Sequence, residues 1–126
     1  MLRLYNSYQS THLKSVTAHL ERKRIVSEAD AVLVVGGGEG TKIEVLLARQ
    51  YERVVIAIPQ SGGYSTQLAK HGVIQGHQKI TAKLSEGAAL LASASSDRDL
   101  QLALSDLLKE LRNESQQSHT VATNSG

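Results

Sequence analysis

Residues 36–44, GGGEGTKIE, combine four glycines with a hydroxyl, a lysine and two carboxylates. They lie between an apolar run at residues 31–35 and a segment with the periodicity of a helix. Glycines let the chain turn sharply and let a ligand reach the main chain, and the first amides of the following helix attract an anion. The pattern therefore predicts a phosphate-binding turn at the carboxyl end of a strand.

The side chains around this turn define the predicted nucleotide-binding site. Thr41 can add a hydroxyl and Lys42 a cation, and a second small-residue turn at residues 60–63 is expected to border the same crevice. Glu39 would face ribose hydroxyls or solvent, and Glu44 would either accept hydrogen bonds from a ribose or act as a first-turn helix acid. The complete predicted set is Arg24, Gly36, Gly37, Gly38, Glu39, Gly40, Thr41, Lys42, Glu44, Ser61, Gly62 and Gly63.

Two established phosphate motifs do not occur in the sequence. There is no G-x-x-x-x-G-K-[ST] spacing, and G-x-G-x-x-G fails after Gly36 and Gly38 because residue 41 is threonine. A tight structural connection is the alternative interpretation of the glycines.

The elements that position the turn follow from apolar spacing. Residues 31–35 and 54–58 are continuous apolar runs, typical of strands covered on both faces in a parallel sheet. Helical patterns at 42–50 and 65–70 follow them, so the order of strand, glycine turn and helix occurs twice. The predicted fold class is α/β, a Rossmann-like parallel sheet flanked by helices.

Another helix is predicted before the first of these strands, at residues 11–28. Leu13 and Leu20 lie on one apolar stripe of this helix. Continued by one turn, the stripe reaches Arg24 and leaves Arg22 on the opposite face. Arg24 would either extend to water or enter a polar site at the helix end.

The C-terminal part of the chain is less uniform. Residues 72–96 have no clear pattern, whereas Ser96 and Asp99 form a capping pair for an amphipathic helix. The segment beyond Asn113 is polar and aperiodic, which predicts disorder. The domain prediction is therefore one nucleotide-binding domain at residues 1–112 and a disordered tail at 113–126.

Composition narrows the class of protein. The 126 residues suffice for one domain, and a net charge of +2 without a long basic run disfavours a nucleic-acid polymer as partner. There is no cysteine, and the five histidines lack paired ligand spacing, so no metal site is expected.

Neither a membrane-spanning segment nor a signal sequence is recognisable, which predicts no membrane contact and a cytoplasmic location. Aromatic residues are 3% of the chain, which argues against base stacking on an aromatic platform.

The stretch ERKRIVSEADAVLVVGGGEGTKIEVLLA, residues 21–48, is similar to the core of the SLOG superfamily. That superfamily groups the LOG phosphoribohydrolases, the Smf DNA-processing proteins and sensor domains fused to TIR or sirtuin modules. Residues 37–41 match its G-G-x-G-T motif, and Glu44 falls on the motif glutamate. Arg24 falls on the second arginine of the preceding helix, but the family's catalytic arginine would align with Glu21.

Residues 54–70 and 95–111 resemble one branch, the sensor-type SLOG domains found beside TIR and sirtuin effectors in prokaryotic antiphage immunity. This resemblance implies an NAD-derived or ADP-ribose-like ligand, for example a cyclic ADP-ribose isomer, and no further cofactor. It also implies a homo-oligomer and a TIR or sirtuin-type effector module as partner.

The sequence departs from the family at two places. Gly36 stands where the family usually has proline. SLOG folds begin with a strand and a first phosphate loop, and neither is recognisable in residues 1–10. The fold prediction therefore leaves open that the first strand is lacking, or that the chain is the C-terminal part of a longer protein.

Two functions and one structural alternative follow. Nucleotide sensing without catalysis is favoured, because the ligand turn is intact while the aligned arginine is replaced. The alternative is a LOG-like phosphoribohydrolase that cleaves the N-glycosidic bond of nucleoside 5′-monophosphates, with Glu44 stabilising the transition state and Arg24 holding the phosphate. An interaction module with a purely structural turn would respond to no nucleotide.

Overall fold

A computed structural model of the chain describes residues 3–6, 16–76 and 80–125. The chain divides into two compact units, Leu2–Lys79 and Ile80–Gly126. The first unit carries a sheet with flanking helices, and the second is helical. The predicted domain of residues 1–112 therefore spans both units.

The described elements of the first unit alternate between strand and helix. They are β1 (Leu4–Asn6), α1 (Val16–Glu28), β2 (Ala31–Val34), α2 (Glu39–Gln50), β3 (Val54–Ala57), a 3-10 turn (Pro59–Ser61), α3 (Gly63–Ala69) and β4 (Ile74–Gln75). The second unit contains α4 (Ala82–Ser93) and α5 (Asp97–Ser125).

The sheet formed by the described strands has the order β1-β2-β3-β4. Strands β1, β2 and β3 are parallel, with Ala31 opposite both Leu4 and Val54, and β4 is antiparallel to β3. The chain therefore has the predicted Rossmann-like α/β architecture. Because β2 and β3 run in the same direction, the turns that follow them lie at the same edge of the sheet.

A short first strand is present, where the sequence left its existence open. Strand β1 pairs with β2 over three residues, and the Arg3 N–H donates to Asp30 Oδ2 at 2.7 Å. In return the Asp30 N–H donates to Arg3 O at 2.7 Å. Three residues are too few for an alternating pattern, so only pairing with β2 defines this strand. The predicted helical residues 11–15 lie outside the described part of the chain.

Helices α1 and α2 pack on one face of the sheet. That face carries alternate residues of β2 and β3, as expected for a pleated sheet. The buried cluster consists of Tyr5, Val26, Ala29, Val32, Val34, Val45, Leu47, Ala48, Val55, Ala57 and Leu68. The core is thus almost entirely aliphatic.

The inward face of α1 differs from the predicted stripe. Val26 is fully buried and Arg22 is 9% exposed, whereas Leu20 is 61% exposed and Arg24 lies on the surface. Of the two alternatives predicted for Arg24, extension to water and entry into a polar site, the structure shows the side chain on the surface. The phase of the helix is set by Val26, which packs in the core together with Ala29 just after the helix end.

Helix α2 begins at Glu39, three residues earlier than predicted. Its buried face carries Glu44, Val45 and Ala48, whereas Ile43 and Leu46 are exposed. The glycine turn is correspondingly shorter, and its last glycines belong to the helix start.

The second unit is organised around two helices with buried leucines. Ser96 Oγ accepts from the Asp99 N–H at 3.1 Å, so the predicted capping pair is formed at the start of α5. Helix α5 continues to Ser125 and includes residues 113–125, where the sequence predicts disorder. That segment contains no glycine or proline, so nothing in it interrupts a helix.

Candidate functional site

The turn between β2 and α2 is made by two glycines in the left-handed region. Gly36 has φ +60° and Gly37 has φ +98°, a conformation that side chains other than glycine rarely adopt. A Cβ on Gly37 would also overlap the side chain of Thr41. Gly38 then forms the N-cap of α2.

The second turn is fastened to the first by hydrogen bonds. The Gly36 N–H donates to Ser61 Oγ at 2.8 Å, and the Ser65 N–H donates to Gly36 O at 3.0 Å. A Cβ on Gly63 would stand 2.6 Å from Gly37 O, so this glycine is required by the close approach of the two turns. The two turns thus lie side by side at the same edge of the sheet.

Ser65 connects the ends of the two central strands. Its buried Oγ lies 2.7 Å from Val34 O and 2.8 Å from Ile58 O, and its single hydroxyl proton is shared between these carbonyls. The sequence prediction missed Ser65. The signal available was a small hydroxyl residue directly after the Gly62-Gly63 turn, at the start of a helix.

The amides at the start of α2 are left open by the described residues. The N-cap residue, Gly38, has no side chain with which to cap the helix, and the first backbone bond into the helix runs from the Lys42 N–H to Gly38 O at 3.1 Å. A Cβ on Gly38 would meet no atom within 4 Å. The first turn of α2 can therefore accept an anion against its N–H groups.

An arginine and a glutamate form a buried ion pair beside this helix start. Glu44 is fully buried, and its Oε1 lies 3.7 Å from Nε of Arg22, whose side chain is 10% exposed. The Arg22 guanidinium passes along Gly40, where an added Cβ would stand 3.4 Å from Nη2. The arginine adjoining the glycine turn is thus Arg22.

Arg24, the predicted arginine, lies on the surface of α1. Its side chain is 55% exposed and pairs with Glu21 and with Glu28. Hydrogen bonds from Arg24 hold the pKa of the Glu21 carboxyl below its usual value. Arg24 is therefore engaged in a surface network and not at the glycine turn.

The other predicted side chains divide between structural and exposed positions. Thr41 is buried and packs against Gly37. Lys42 Nζ pairs with Glu39 Oε1 at 3.1 Å, and Glu39 points to solvent. Ser61 Oγ donates to Ile58 O at 2.7 Å while accepting from Gly36, so its hydroxyl shapes the turn.

The described residues were also compared with the requirements of a metal site and of a membrane-spanning helix. Within the described residues, no three His, Cys, Asp or Glu side chains are grouped so that they could hold a metal ion. None of the helices in that part of the chain is both long and apolar enough to cross a bilayer.

Comparisons of the chain with protein-family models, with curated proteins and with solved structures give no match.

Proposed function

We propose that the chain binds an NAD-derived or ADP-ribose-like nucleotide, with a phosphate held at the start of α2. The observation that carries this proposal is the open first turn of α2, with empty space above Gly38 and the guanidinium of Arg22 beside Gly40. Backbone N–H groups, a helix dipole and an arginine together favour a phosphate. Ligand binding without catalysis, as in a sensor domain, is the function assigned to this site.

The biological setting comes from the resemblance to sensor-type SLOG domains. A sensor of antiphage immunity would bind its signalling nucleotide, assemble into a homo-oligomer and control a TIR or sirtuin-type effector. These parts of the proposal are tested separately from ligand binding, by measuring the mass of the assembly with and without nucleotide.

The alternative is a LOG-like phosphoribohydrolase, and one observation favours it. The aligned arginine is replaced by Glu21, but the neighbouring Arg22 lies against Glu44. In this alternative Arg22 would take the role predicted for Arg24, holding the phosphate. Glu44, which is fully buried, would stabilise positive charge on the ribose from behind the glycine turn, without contacting the sugar. Water would add to the ribose carbon, and the base would leave with a proton.

One experiment separates the two functions. The chain is incubated with AMP and, separately, with ADP-ribose, and the solution is then separated by chromatography while binding is measured by calorimetry. Binding with the nucleotide recovered intact supports sensing. Release of free base together with a sugar phosphate establishes hydrolysis, and the absence of both binding and turnover rejects the proposed function.

A further inference from the structure

Tyr64 lies beside the glycine turn, with a lysine over its ring. Its N–H donates to Gly37 O at 3.0 Å, so its backbone is fixed against the turn. The side chain is partly buried against the hydrophobic core, and Nζ of Lys42 stands 5.7 Å from the ring centroid. Lys42 lies in the first turn of α2 and Tyr64 in the first turn of α3, so the contact joins the two turns of the site.

Aromatic rings are scarce in this chain, which makes the position of Tyr64 informative. The sequence has four tyrosines and no phenylalanine or tryptophan. Tyr5 is buried in the core, and Tyr51 follows the opposite end of α2. Among the tyrosines that the structure describes, Tyr64 is the one that adjoins the glycine turn.

The lysine that covers the ring is held by weak interactions. The ammonium of Lys42 pairs with the carboxylate of Glu39 on the exposed surface. Exposed ion pairs and exposed cation–π contacts are both weak, and a lysine stem is flexible. A ligand ring can therefore take the place of the ammonium without disturbing the core.

We propose that Tyr64 recognises the base of the ligand. The base stacks on the ring face that Lys42 now covers, and the displaced ammonium pairs with a ligand phosphate. This inference rests on the proposed function, because a phosphate at the start of α2 is what brings the base to Tyr64. It also reverses the expectation, drawn from the low aromatic content, that base stacking has no platform here.

Tyr64 then selects ligands that carry a heteroaromatic base over bare sugar phosphates. Stacking on an aromatic ring tolerates every base, because each has a π face. Tyr64 would therefore discriminate against a ligand without a base, whereas other groups would distinguish one base from another.

The test compares AMP with ribose 5-phosphate, which share a phosphate and differ by the base. Calorimetry on the full chain is expected to show AMP binding roughly tenfold more tightly. Tyr64→Leu should remove this advantage and leave the affinity for ribose 5-phosphate unchanged. Tyr64→Phe should retain the advantage, and Tyr51→Leu serves as the matched control, with no effect on the ratio.

Tyrosine fluorescence tests the same inference on the wild-type chain. Since the chain has no tryptophan, its emission comes from tyrosine. A base stacked on Tyr64 should quench part of this emission, and ribose 5-phosphate should quench none.

Four results would overturn the inference while leaving phosphate binding in place. They are equal affinity for AMP and ribose 5-phosphate, an equal loss for both ligands in Tyr64→Leu, a loss of the AMP advantage in Tyr51→Leu, and equal tyrosine emission with either ligand. If neither compound nor ADP-ribose binds, the proposed function fails and the inference fails with it.

Discussion

Arg22 and Arg24 are two positions apart on α1, but one lies in the protein interior and the other on the surface. Arg22 is buried against Glu44, whereas Arg24 is exposed among Glu21 and Glu28. Removing one partner of a buried ion pair leaves a charge in a poorly solvated place, and that loss is far larger than the loss of a surface pair. The two arginines therefore form a natural matched set for mutation.

Arg22→Ala should lower the free energy of unfolding by about 3–5 kcal/mol, since Glu44 would remain buried without its arginine. Arg24→Ala should change it by less than about 1 kcal/mol. Urea unfolding followed by circular dichroism measures both. Equal small effects from the two substitutions would show that the Arg22–Glu44 pair contributes little.

The same two positions test nucleotide binding. Arg22→Lys keeps a positive charge near Glu44 but loses the planar guanidinium beside Gly40, and it should weaken AMP binding by about 1.5–3 kcal/mol. Arg24→Lys is the control and should bind as the wild type does, as measured by calorimetry. An unchanged dissociation constant in Arg22→Lys would remove Arg22 from the proposed site.

Gly38→Val should abolish nucleotide binding while the fold persists. A Cβ at Gly38 meets no protein atom within 4 Å. Its φ of −137° is ordinary for valine, but its ψ of −134° lies outside the regions that residues with a Cβ favour, so the folded variant should lose some stability. The valine side chain would instead occupy the space assigned to the phosphate. Calorimetry measures the affinity, and the circular dichroism spectrum checks the fold. Retained affinity in a folded variant would place the ligand elsewhere.

At the scale of elements, the hydroxyl of Ser65 ties the start of α3 to β2 and β3. Three bonds converge there, because the Ser65 N–H also donates to Gly36 O. Both carbonyls that Ser65 Oγ contacts have a second donor: Ile58 N–H for Val34 O, and Ser61 Oγ for Ile58 O. The side chain therefore adds to an existing network.

Ser65→Ala should lower the free energy of unfolding by about 1 kcal/mol, the usual net value of a buried hydrogen bond. Because the backbone bond of residue 65 remains, the two turns should stay in place. Ser85→Ala, at an exposed position on α4, is the control and should have almost no effect. Urea unfolding measures the difference, and equal stability of the two variants would contradict the structural role of Ser65.

The sequence predicted the strands and helices around the site better than it predicted which face of each helix points to the core. The runs at β2 and β3 are buried, and glycine turns follow both, as their composition indicates. The phase of α1 could not be read correctly, because Leu20 is exposed while Arg22 is buried through its pairing with Glu44. A buried ion pair depends on a partner from another helix, and an apolar stripe within one helix carries no information about that partner.

For the whole molecule, composition and spacing were sufficient to predict an α/β chain with an aliphatic core. They were insufficient to predict the division at Lys79, since both units have similar polar and apolar content. The glycine turn was also predicted, but the sequence does not distinguish glycines that are required by contacts within the protein from glycines that leave space for a ligand. Gly37 and Gly63 are explained by contacts inside the protein, and Gly38 is not.

The close approach of Gly63 to Gly37 O, which leaves no room for a Cβ, couples two turns that are far apart in the sequence. A substitution that enlarges residue 63 would push the carbonyl of Gly37 and with it the beginning of α2. Substitutions at residue 63 should therefore change ligand affinity indirectly, by moving the beginning of α2. A redesign of the site would have to vary both turns together.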